Sequence, residues 1–230
     1  MKKHLPNALT LTNAFAGSAA LVFIFQENWL NVFICVSIGL LADLLDGAVA
    51  RLLGVSSELG KQLDSLADMV SFGVVPGAIM YQMLRSACEA SPLSSTWAFV
   101  AFLIPVFACL RLARFNLDTR QSEHFIGLPT PAATFLVLGL LLIEWQELYG
   151  ANLLTNPFLL LFLVSTIAYL MNSPILLFSF KFKHLTWRGN EVRFTFLGLV
   201  IVLILVLQWA SLVPILIAYL LLSVLAKGKF

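Results

Sequence analysis

The stretch LADLLDGAVARLLGVSSELGKQLDSLADMV, residues 41–70, is the polar centre of an otherwise apolar chain. It holds four aspartates, Asp43, Asp46, Asp64 and Asp68, although the chain is 60% hydrophobic and only 11% charged. Carboxylates are among the most costly groups to bring near hydrocarbon. Two pairs of them in this setting therefore indicate a function rather than a structural accident.

Around this stretch the sequence predicts a protein that lies mainly in lipid. Its mean hydropathy is +0.94, and the apolar run at 196–226 is of membrane-crossing length even with a turn inside it. A soluble domain of 230 residues needs a far more polar surface. We therefore expect an all-α, polytopic integral membrane helical bundle that forms a single domain over residues 1–230. The net charge of +2 gives no indication of nucleic-acid binding.

Apolar runs separated by polar breaks predict eight helices, with six as the lower alternative. The first is expected to be retained rather than cleaved as a signal. The last two are joined by QWAS at 208–211 and can instead form one interrupted element. The eight predicted ranges are 8–25, 30–53, 62–84, 95–117, 130–147, 156–178, 194–208 and 211–226.

Basic residues predict the orientation of this bundle. With a cytoplasmic N-terminus, Arg85 is the one residue among the 14 Lys and Arg that falls on the outer side. The outer turns carry glutamates instead, at positions 27, 89, 144 and 147. By the positive-inside rule, we expect both termini and the aspartates to face the cytoplasm, in the cytoplasmic (inner) membrane.

Each aspartate pair lies on one face of a helix, because its members are three or four residues apart. The turn at 54–60 brings the two helices back antiparallel, so Asp43 and Asp46 are expected to face Asp64 and Asp68. The cluster contains no lysine, and carboxylate oxygens suit hard ions such as Mg²⁺ or Mn²⁺. Two such ions can form the clamp used in phosphoryl transfer. A proton or cation pathway in a transporter is the alternative from another class of protein.

The spacing of these residues resembles the signature of the CDP-alcohol phosphotransferases, membrane enzymes that make phospholipid headgroups. Every fixed position of that signature is present, which makes it far more specific than a lone glycine motif. The matching residues are Asp43, Asp46, Gly47, Ala50, Arg51, Gly60, Asp64 and Asp68. The resemblance implies that a hydroxyl attacks the lipid-bearing phosphorus of a CDP-linked lipid and that CMP leaves.

The resemblance also implies roles for the signature residues. Asp43, Asp46 and Asp64 are expected to bind two divalent ions, and Asp68 to act as the general base and also to touch a metal. The small residues Gly47, Ala50 and Gly60 are expected to leave room for the substrate. Arg51 is expected to pair with a phosphate or an aspartate, or else to anchor the helix at the cytoplasmic surface.

Shorter motifs resemble the phosphatidylserine synthases of this superfamily. That resemblance implies CDP-diacylglycerol and L-serine as substrates, membrane lipid as surroundings and a homodimer as the assembly. The same chemistry with glycerol 3-phosphate or an inositol phosphate as acceptor is the nearest alternative, and it calls for additional basic residues. The motifs are LPNALTLTNAFAGSAAL (5–21), SFGVVPG (71–77), RLARFN (111–116), GLPTPAA (127–133) and MNSP (171–174).

Two arginines are candidates for recognising serine. Arg111 and Arg114 are three residues apart, so they can share a helix face. A guanidinium binds a carboxylate or phosphate in a planar fork, so at least one is expected to hold the serine carboxylate or the lipid phosphate. Anchoring to headgroups is the alternative for each. Asn116 and His124 are weaker candidates nearby.

A polar stripe marks the start of the first helix. Asn7, Thr10 and Asn13 recur every three residues, and lipid does not favour such a stripe. By resemblance, the stripe is expected to line the site of the CDP-linked lipid. Hydrogen bonds between helices, or capping of the helix by Asn7, are the alternatives.

Overall fold

The computed structural model describes residues 4–55, 57–117, 125–178 and 190–226, which are almost entirely helical. In the first half of the chain, the helices are α1 (Leu5–Phe25), α2 (Trp29–Leu53), α3 (Glu58–Asp68), a π-helical segment (Met69–Val74) and α4 (Val75–Glu89). A 3-10 segment (Ser95–Phe102) leads into α5 (Leu103–Leu117), followed by α6 (Thr130–Trp145), α7 (Ala151–Leu154) and α8 (Pro157–Met171). The last elements are α9 (Glu191–Leu207), a 3-10 segment (Gln208–Ser211) and α10 (Leu212–Leu225).

The described residues confirm the polytopic all-α membrane fold. They include five helical stretches that are long and apolar enough to cross a membrane, and α6 and α8 are shorter apolar helices. The five are Leu5–Phe25, Trp29–Leu53, Glu58–Glu89, Ser95–Leu117 and Glu191–Leu225. Large apolar side chains such as Phe15, Leu44 and Leu205 are exposed on these helices, as lipid contact requires.

The final stretch, Glu191–Leu225, folds back on itself instead of running straight. Gln208 has a φ of 48°, which ends α9. The rings of Phe196 and Tyr219 lie 5.8 Å apart, whereas 23 residues of straight helix would separate them by about 34 Å. The helices α9 and α10 are therefore antiparallel neighbours, and each of the eight predicted helices has a counterpart in the described residues.

The helix that carries Asp64 and Asp68 begins earlier than predicted. It was expected from residue 62, after a turn at 54–60, but α3 begins at Glu58. The Ser57 side chain accepts a hydrogen bond from the Gly60 amide at 3.0 Å, and Glu58 places a negative charge in the first turn. Both features stabilise a helix start. The turn is therefore short, and Gly60 belongs to the helix.

The predicted helix at 156–178 is too long. The helix α8 ends at Met171, and Leu176–Leu177 forms a two-residue strand, β2, antiparallel to β1 at Phe125–Ile126. Pro174 has no amide proton and disfavours a helical residue before it, so the helix does not pass this point. The apolar run that continues to Phe178 belongs to this small sheet and the buried core.

The helix α4 lies at the centre of the bundle. Most of its side chains are buried, among them Ile79, Met80 and Leu84, which are fully inaccessible. The preceding π-helical segment packs directly on α1, where Gly17 leaves no room for a side chain against Ser71. This contact fixes the position of the helix that carries Asp64 and Asp68 relative to α1.

Candidate active site

Three of the four aspartates converge at one end of the bundle. Asp43 projects from the second half of α2, and Asp64 and Asp68 project from α3. One carboxylate oxygen from each lies within 4.8 Å of the others. The two helices run antiparallel through a short turn, which places these residues at similar depths, as the sequence predicts.

Asp46 faces α1 instead of joining this group of three. It is buried, and its Oδ2 accepts a hydrogen bond of 2.5 Å from Thr10 Oγ1. The Thr10 hydroxyl is also 3.1 Å from the Pro6 carbonyl oxygen. Thr10 therefore fixes the orientation of Asp46 from the neighbouring helix, as an outer hydrogen-bond partner does for a metal-binding carboxylate.

Asn13 connects α1 to Asp68. Its Nδ2 donates to Asp68 Oδ1 at 3.2 Å, and its main-chain oxygen accepts from Ser71 Oγ at 2.9 Å. Asn13 is fully buried, and its side-chain oxygen has no hydrogen-bond partner among the described residues. Asn13 and Thr10 thus bond to different aspartates from one face of α1. Asn7 is not a helix cap, because α1 begins at Leu5 and Asn7 lies inside it.

A cavity of about 740 Å³ opens beside the aspartates. Its volume is in the range of small-molecule and cofactor sites. Gly60 allows a close approach of α3 to α1, because a side chain there would lie 3.3 Å from Asn7 Oδ1. The lining includes seven residues that the sequence singled out, namely Asn7, Thr10, Asp46, Gly47, Ala50, Gly60 and Asp64.

Lys61 also lines this cavity and was not singled out from the sequence. Its Nζ donates to the Asn116 carbonyl oxygen at 2.9 Å. The Asn116 side chain donates to Ser65 Oγ at 2.8 Å, so Asn116 joins α5 to α3. Its position directly after Gly60 of the signature could have identified it as a site residue. The positive-inside rule already accounts for a lysine at this helix end, so the position alone was not distinctive.

The two candidate arginines of α5 do not share their surroundings. Arg111 is buried, close enough to Asp68 for their charges to interact, and its Nε has no hydrogen-bond partner among the described residues. Arg114 is exposed, and its Nη1 lies 3.4 Å from Asn172 Oδ1. Of the two, Arg111 is the one whose charge interacts with the aspartates, and whether both share one face of α5 stays a prediction.

Arg51 forms no ion pair with the aspartates among the described residues. It is exposed in the last turn of α2. Its guanidinium folds back over Gly47, 3.3 Å from where a side chain at that position would begin. His124 lies outside the described residues.

The aspartate group fits a divalent cation. Its ligands are carboxylate oxygens held from two helices, the donor type that hard ions such as Mg²⁺ and Mn²⁺ prefer. Three carboxylates this close repel one another unless a cation lies between them. Arg111 supplies one positive charge, which leaves an excess of negative charge for a bound ion to offset.

The fold and this site define an integral membrane protein in which a carboxylate cluster that fits a divalent cation lies beside a cavity. The model of the CDP-alcohol phosphatidyltransferase family matches residues 3–226. The chain therefore belongs to the CDP-alcohol phosphatidyltransferase family, which confirms the resemblance seen in the aspartate spacing.

Three relatives share the name CDP-diacylglycerol–serine O-phosphatidyltransferase. The protein from Mycobacterium leprae is 35% identical over 178 residues, which cover 74% of this chain and 57% of that relative. The one from Bacillus subtilis is 31% identical over 188 residues, covering 82% of this chain and 94% of the relative. The one from Saccharomyces cerevisiae is 34% identical over 154 residues, which cover 60% of this chain and 53% of that relative. The chain thus spans little more than half the length of several relatives.

Proposed function

We propose that this protein transfers the phosphatidyl group of CDP-diacylglycerol to the hydroxyl of L-serine, giving phosphatidylserine and CMP. The observation that carries the proposal is the convergence of Asp43, Asp64 and Asp68 within 4.8 Å at the edge of a 740 Å³ cavity. The shared name of relatives from two bacteria and a yeast supports serine as the acceptor.

The four aspartates have distinct parts in this proposal. Asp43, Asp46 and Asp64 hold two divalent ions, Mg²⁺ or Mn²⁺, with Asp68 touching one of them. When bound, the ions offset the charge of the diphosphate and of the departing CMP. Thr10 keeps the Asp46 carboxylate in place through its hydrogen bond. Asn7, Gly47, Ala50 and Gly60 shape the cavity that receives the CDP group.

Asp68 is the general base of the proposed reaction. It accepts the proton of the serine hydroxyl while that oxygen forms a bond to phosphorus and the bond between phosphorus and CMP breaks. Asn13 donates to one oxygen of the carboxylate. This hydrogen bond fixes the direction of the carboxylate that takes the proton.

Arg111 is the better candidate for the serine carboxylate. It is buried beside Asp68 and has an unpartnered Nε, so an incoming carboxylate gains a buried, charged hydrogen bond. Arg114 is exposed and Asn116 links α5 to α3, so we assign neither of them to the serine carboxylate. In this proposal, Arg51 pairs with a phosphate of the CDP-linked lipid. We further propose a homodimer with both termini and the site on the cytoplasmic side of the inner membrane.

The acceptor is tested by product analysis. Purified protein is incubated with CDP-diacylglycerol and Mn²⁺ together with L-serine, glycerol 3-phosphate or inositol 1-phosphate, and the lipid product is identified by mass spectrometry. We expect phosphatidylserine from L-serine and no product from the phosphorylated acceptors. A product from either phosphorylated acceptor, with none from serine, contradicts the proposal.

The same assay tests Arg111. We expect Arg111→Gln to raise the KM for serine about tenfold or more, with a smaller effect on the KM for CDP-diacylglycerol, because the lost charge-assisted bond is to the acceptor. Arg114→Gln is the matched control three residues away and is expected to change the serine KM much less. Equal effects of the two substitutions contradict the assignment of Arg111.

A further inference from the structure

A second polar cavity lies at the end of the bundle opposite the aspartates. The turn between α1 and α2 and residues of α2, α4 and α6 line a cavity of about 290 Å³. Its lining includes the indoles of Trp29 and Trp145 together with several charged and amide side chains. On α2, 14 residues separate Trp29 from Asp43, which is about 21 Å of helix. The proposed reaction uses no group in this cavity.

One guanidinium in this cavity is shared between two carboxylates. Arg85 Nη2 lies 3.9 Å from Glu27 Oε1, and Arg85 Nε lies 3.7 Å from Glu89 Oε1. Glu144 also lines the cavity and is half-buried, yet it has no ion pair or hydrogen bond within the part of the chain that the structure describes. The cavity therefore has an excess of negative charge, centred on Glu144.

Gln82 supplies a second acceptor without a donor. It is 8% exposed and lines the same cavity. Its Nε2 reaches the Ile24 carbonyl oxygen at 3.5 Å, while its Oε1 has no partner among the described residues. Buried polar atoms are nearly always hydrogen-bonded, so an unpartnered amide oxygen and an unpartnered carboxylate in the lining of one cavity point to a ligand that donates hydrogen bonds.

The chemistry of the lining selects an ammonium over a metal ion. Among the described residues, the acidic group close enough to share an ion is Asp43, Asp64 and Asp68, not these glutamates. The guanidinium of Arg85 also opposes a divalent cation. A primary ammonium carries one charge and three N–H donors, and indole faces attract such cations.

The position of the cavity selects a lipid headgroup as the source of that ammonium. The cavity is formed at the ends of membrane-crossing helices, where headgroups lie, and tryptophans are typical of this depth. We propose that it binds the headgroup of an ethanolamine-type aminophospholipid. The ammonium donates to Glu144 and to Gln82 Oε1, and the lipid phosphate lies on the side of Arg85.

Headgroup preference in the wild-type protein tests the proposal. The purified full-length protein is titrated with dioleoyl phosphatidylethanolamine and with dioleoyl phosphatidylcholine, and bound lipid is counted by native mass spectrometry. We expect the ethanolamine lipid to bind about tenfold more tightly, because the quaternary ammonium has no N–H donor. Equal binding of the two lipids overturns the proposal. No CDP-linked lipid is present, so the result does not depend on the proposed reaction.

Two substitutions near one helix end locate the site. Glu144→Gln removes the charge with little change of shape and is expected to abolish the headgroup preference. Glu147→Gln changes an exposed carboxylate outside the cavity lining and is expected to leave the preference intact. An unchanged preference in Glu144→Gln shows binding elsewhere and overturns the assignment.

Competition with free amines shows whether the ligand is a lipid or a soluble amine, and it requires no substituted protein. We expect millimolar ethanolamine, but not choline, to displace the ethanolamine lipid from the wild-type protein weakly, since it lacks the phosphate and the acyl chains. Ethanolamine that binds as tightly as the lipid shows that the ligand is a soluble amine and overturns the lipid assignment. Displacement by choline to the same extent overturns ammonium recognition altogether.

Discussion

Two side chains of α1 position two of the four aspartates, one inside the cluster and one beside it. Thr10 donates to Asp46 and Asn13 donates to Asp68, so α1 contributes to the site without supplying a carboxylate. Both residues are buried, where a lost hydrogen bond is not replaced by water. The orientation of two carboxylates therefore depends on a neighbouring helix.

Removing the Thr10 hydroxyl is expected to weaken metal binding. In Thr10→Val, the Asp46 carboxylate loses its donor and its fixed orientation, and loss of such an outer partner typically lowers metal affinity about 10- to 100-fold. We expect the Mn²⁺ concentration for half-maximal activity to rise by about tenfold, with most of the activity regained at saturating metal. Activity measured over a Mn²⁺ titration checks this.

Thr12→Val is the matched control for that substitution. Thr12 lies on the exposed face of the same helix, and among the described residues its hydroxyl donates to the Ala8 carbonyl oxygen alone, at 2.9 Å. Its Mn²⁺ dependence is expected to match that of the wild type. If Thr10→Val also leaves the Mn²⁺ dependence unchanged, Thr10 has no part in holding the site.

Much of the site at this scale could be predicted from the sequence. The spacing of Asp43, Asp64 and Asp68 is sufficient to bring them together once two antiparallel helices are assumed. The partners of each carboxylate could not be predicted, because they depend on how α1 rotates against α2 and α3. The sequence assigned Thr10 and Asn13 to one polar stripe but gave no sign that they bond to different aspartates.

At the scale of elements, the contact between α1 and the π-helical segment holds the site together. Ser71 follows Asp68 by three residues, and its Oγ donates to the Asn13 carbonyl oxygen. Gly17 lies opposite, where an added side chain would come within 2.9 Å of the Ser71 Cα. The close approach of the two helices therefore requires glycine at this position.

Gly17→Ala is expected to destabilise the protein. The new methyl group overlaps Ser71 and forces the helices apart, a change that typically costs about 1–3 kcal/mol in the free energy of unfolding. We expect the midpoint of thermal unfolding in detergent to fall by several degrees. We also expect a weaker Mn²⁺ affinity, because Asp68 and Asn13 lie on the two displaced elements.

Gly198→Ala controls for the general effect of replacing a helical glycine. Nothing lies within 4 Å of a side chain added there, so the substitution is expected to keep or slightly raise stability. A Gly17→Ala protein as stable as Gly198→Ala shows that the contact with Ser71 yields without cost, contrary to this account.

The sequence predicted the helices better than their interruptions. Apolar runs are sufficient to place helices, but the π-helical segment at Met69–Val74 depends on packing against α1, α5 and α6, which the local sequence does not reveal. The apolar run after Met171 was assigned to a helix because hydrophobicity outweighed Asn172 and Pro174. Its true partner, β1, lies far away in the chain and leaves no local signal.

At the scale of the whole molecule, the two ends of the bundle have different chemistry. One end has the aspartate cluster with Arg111 and Lys61, and the other has the cavity with Glu144 and Arg85. The sequence predicted this polarity from charge alone. It could not predict the second cavity, because three helices and a turn line it and each of its charged residues resembles an ordinary outer-turn charge.

The orientation of the bundle can be measured by thiol labelling in intact cells. The native cysteines, Cys35, Cys88 and Cys109, are first replaced by alanine. We then expect Glu147→Cys to react with a membrane-impermeant maleimide added outside, and Glu58→Cys to react only after the membrane is opened, because basic residues favour a cytoplasmic aspartate end. The reverse pattern contradicts a cytoplasmic active site.

The proposed reaction requires the aspartate cluster to hold metal and Asp68 to take the serine proton. The most direct test is CMP release by the purified protein with CDP-diacylglycerol and L-serine, with Mn²⁺ added or removed by chelation, in the wild type, Asp68→Asn and Glu58→Gln. Glu58 is an exposed carboxylate on the same helix and serves as the control.

We predict serine-dependent CMP release in the wild type and in Glu58→Gln, its loss on chelation with recovery on adding Mn²⁺, and a fall of at least about 100-fold in Asp68→Asn. Folded protein that releases CMP equally well without metal, or with Asp68→Asn in place, would contradict the account.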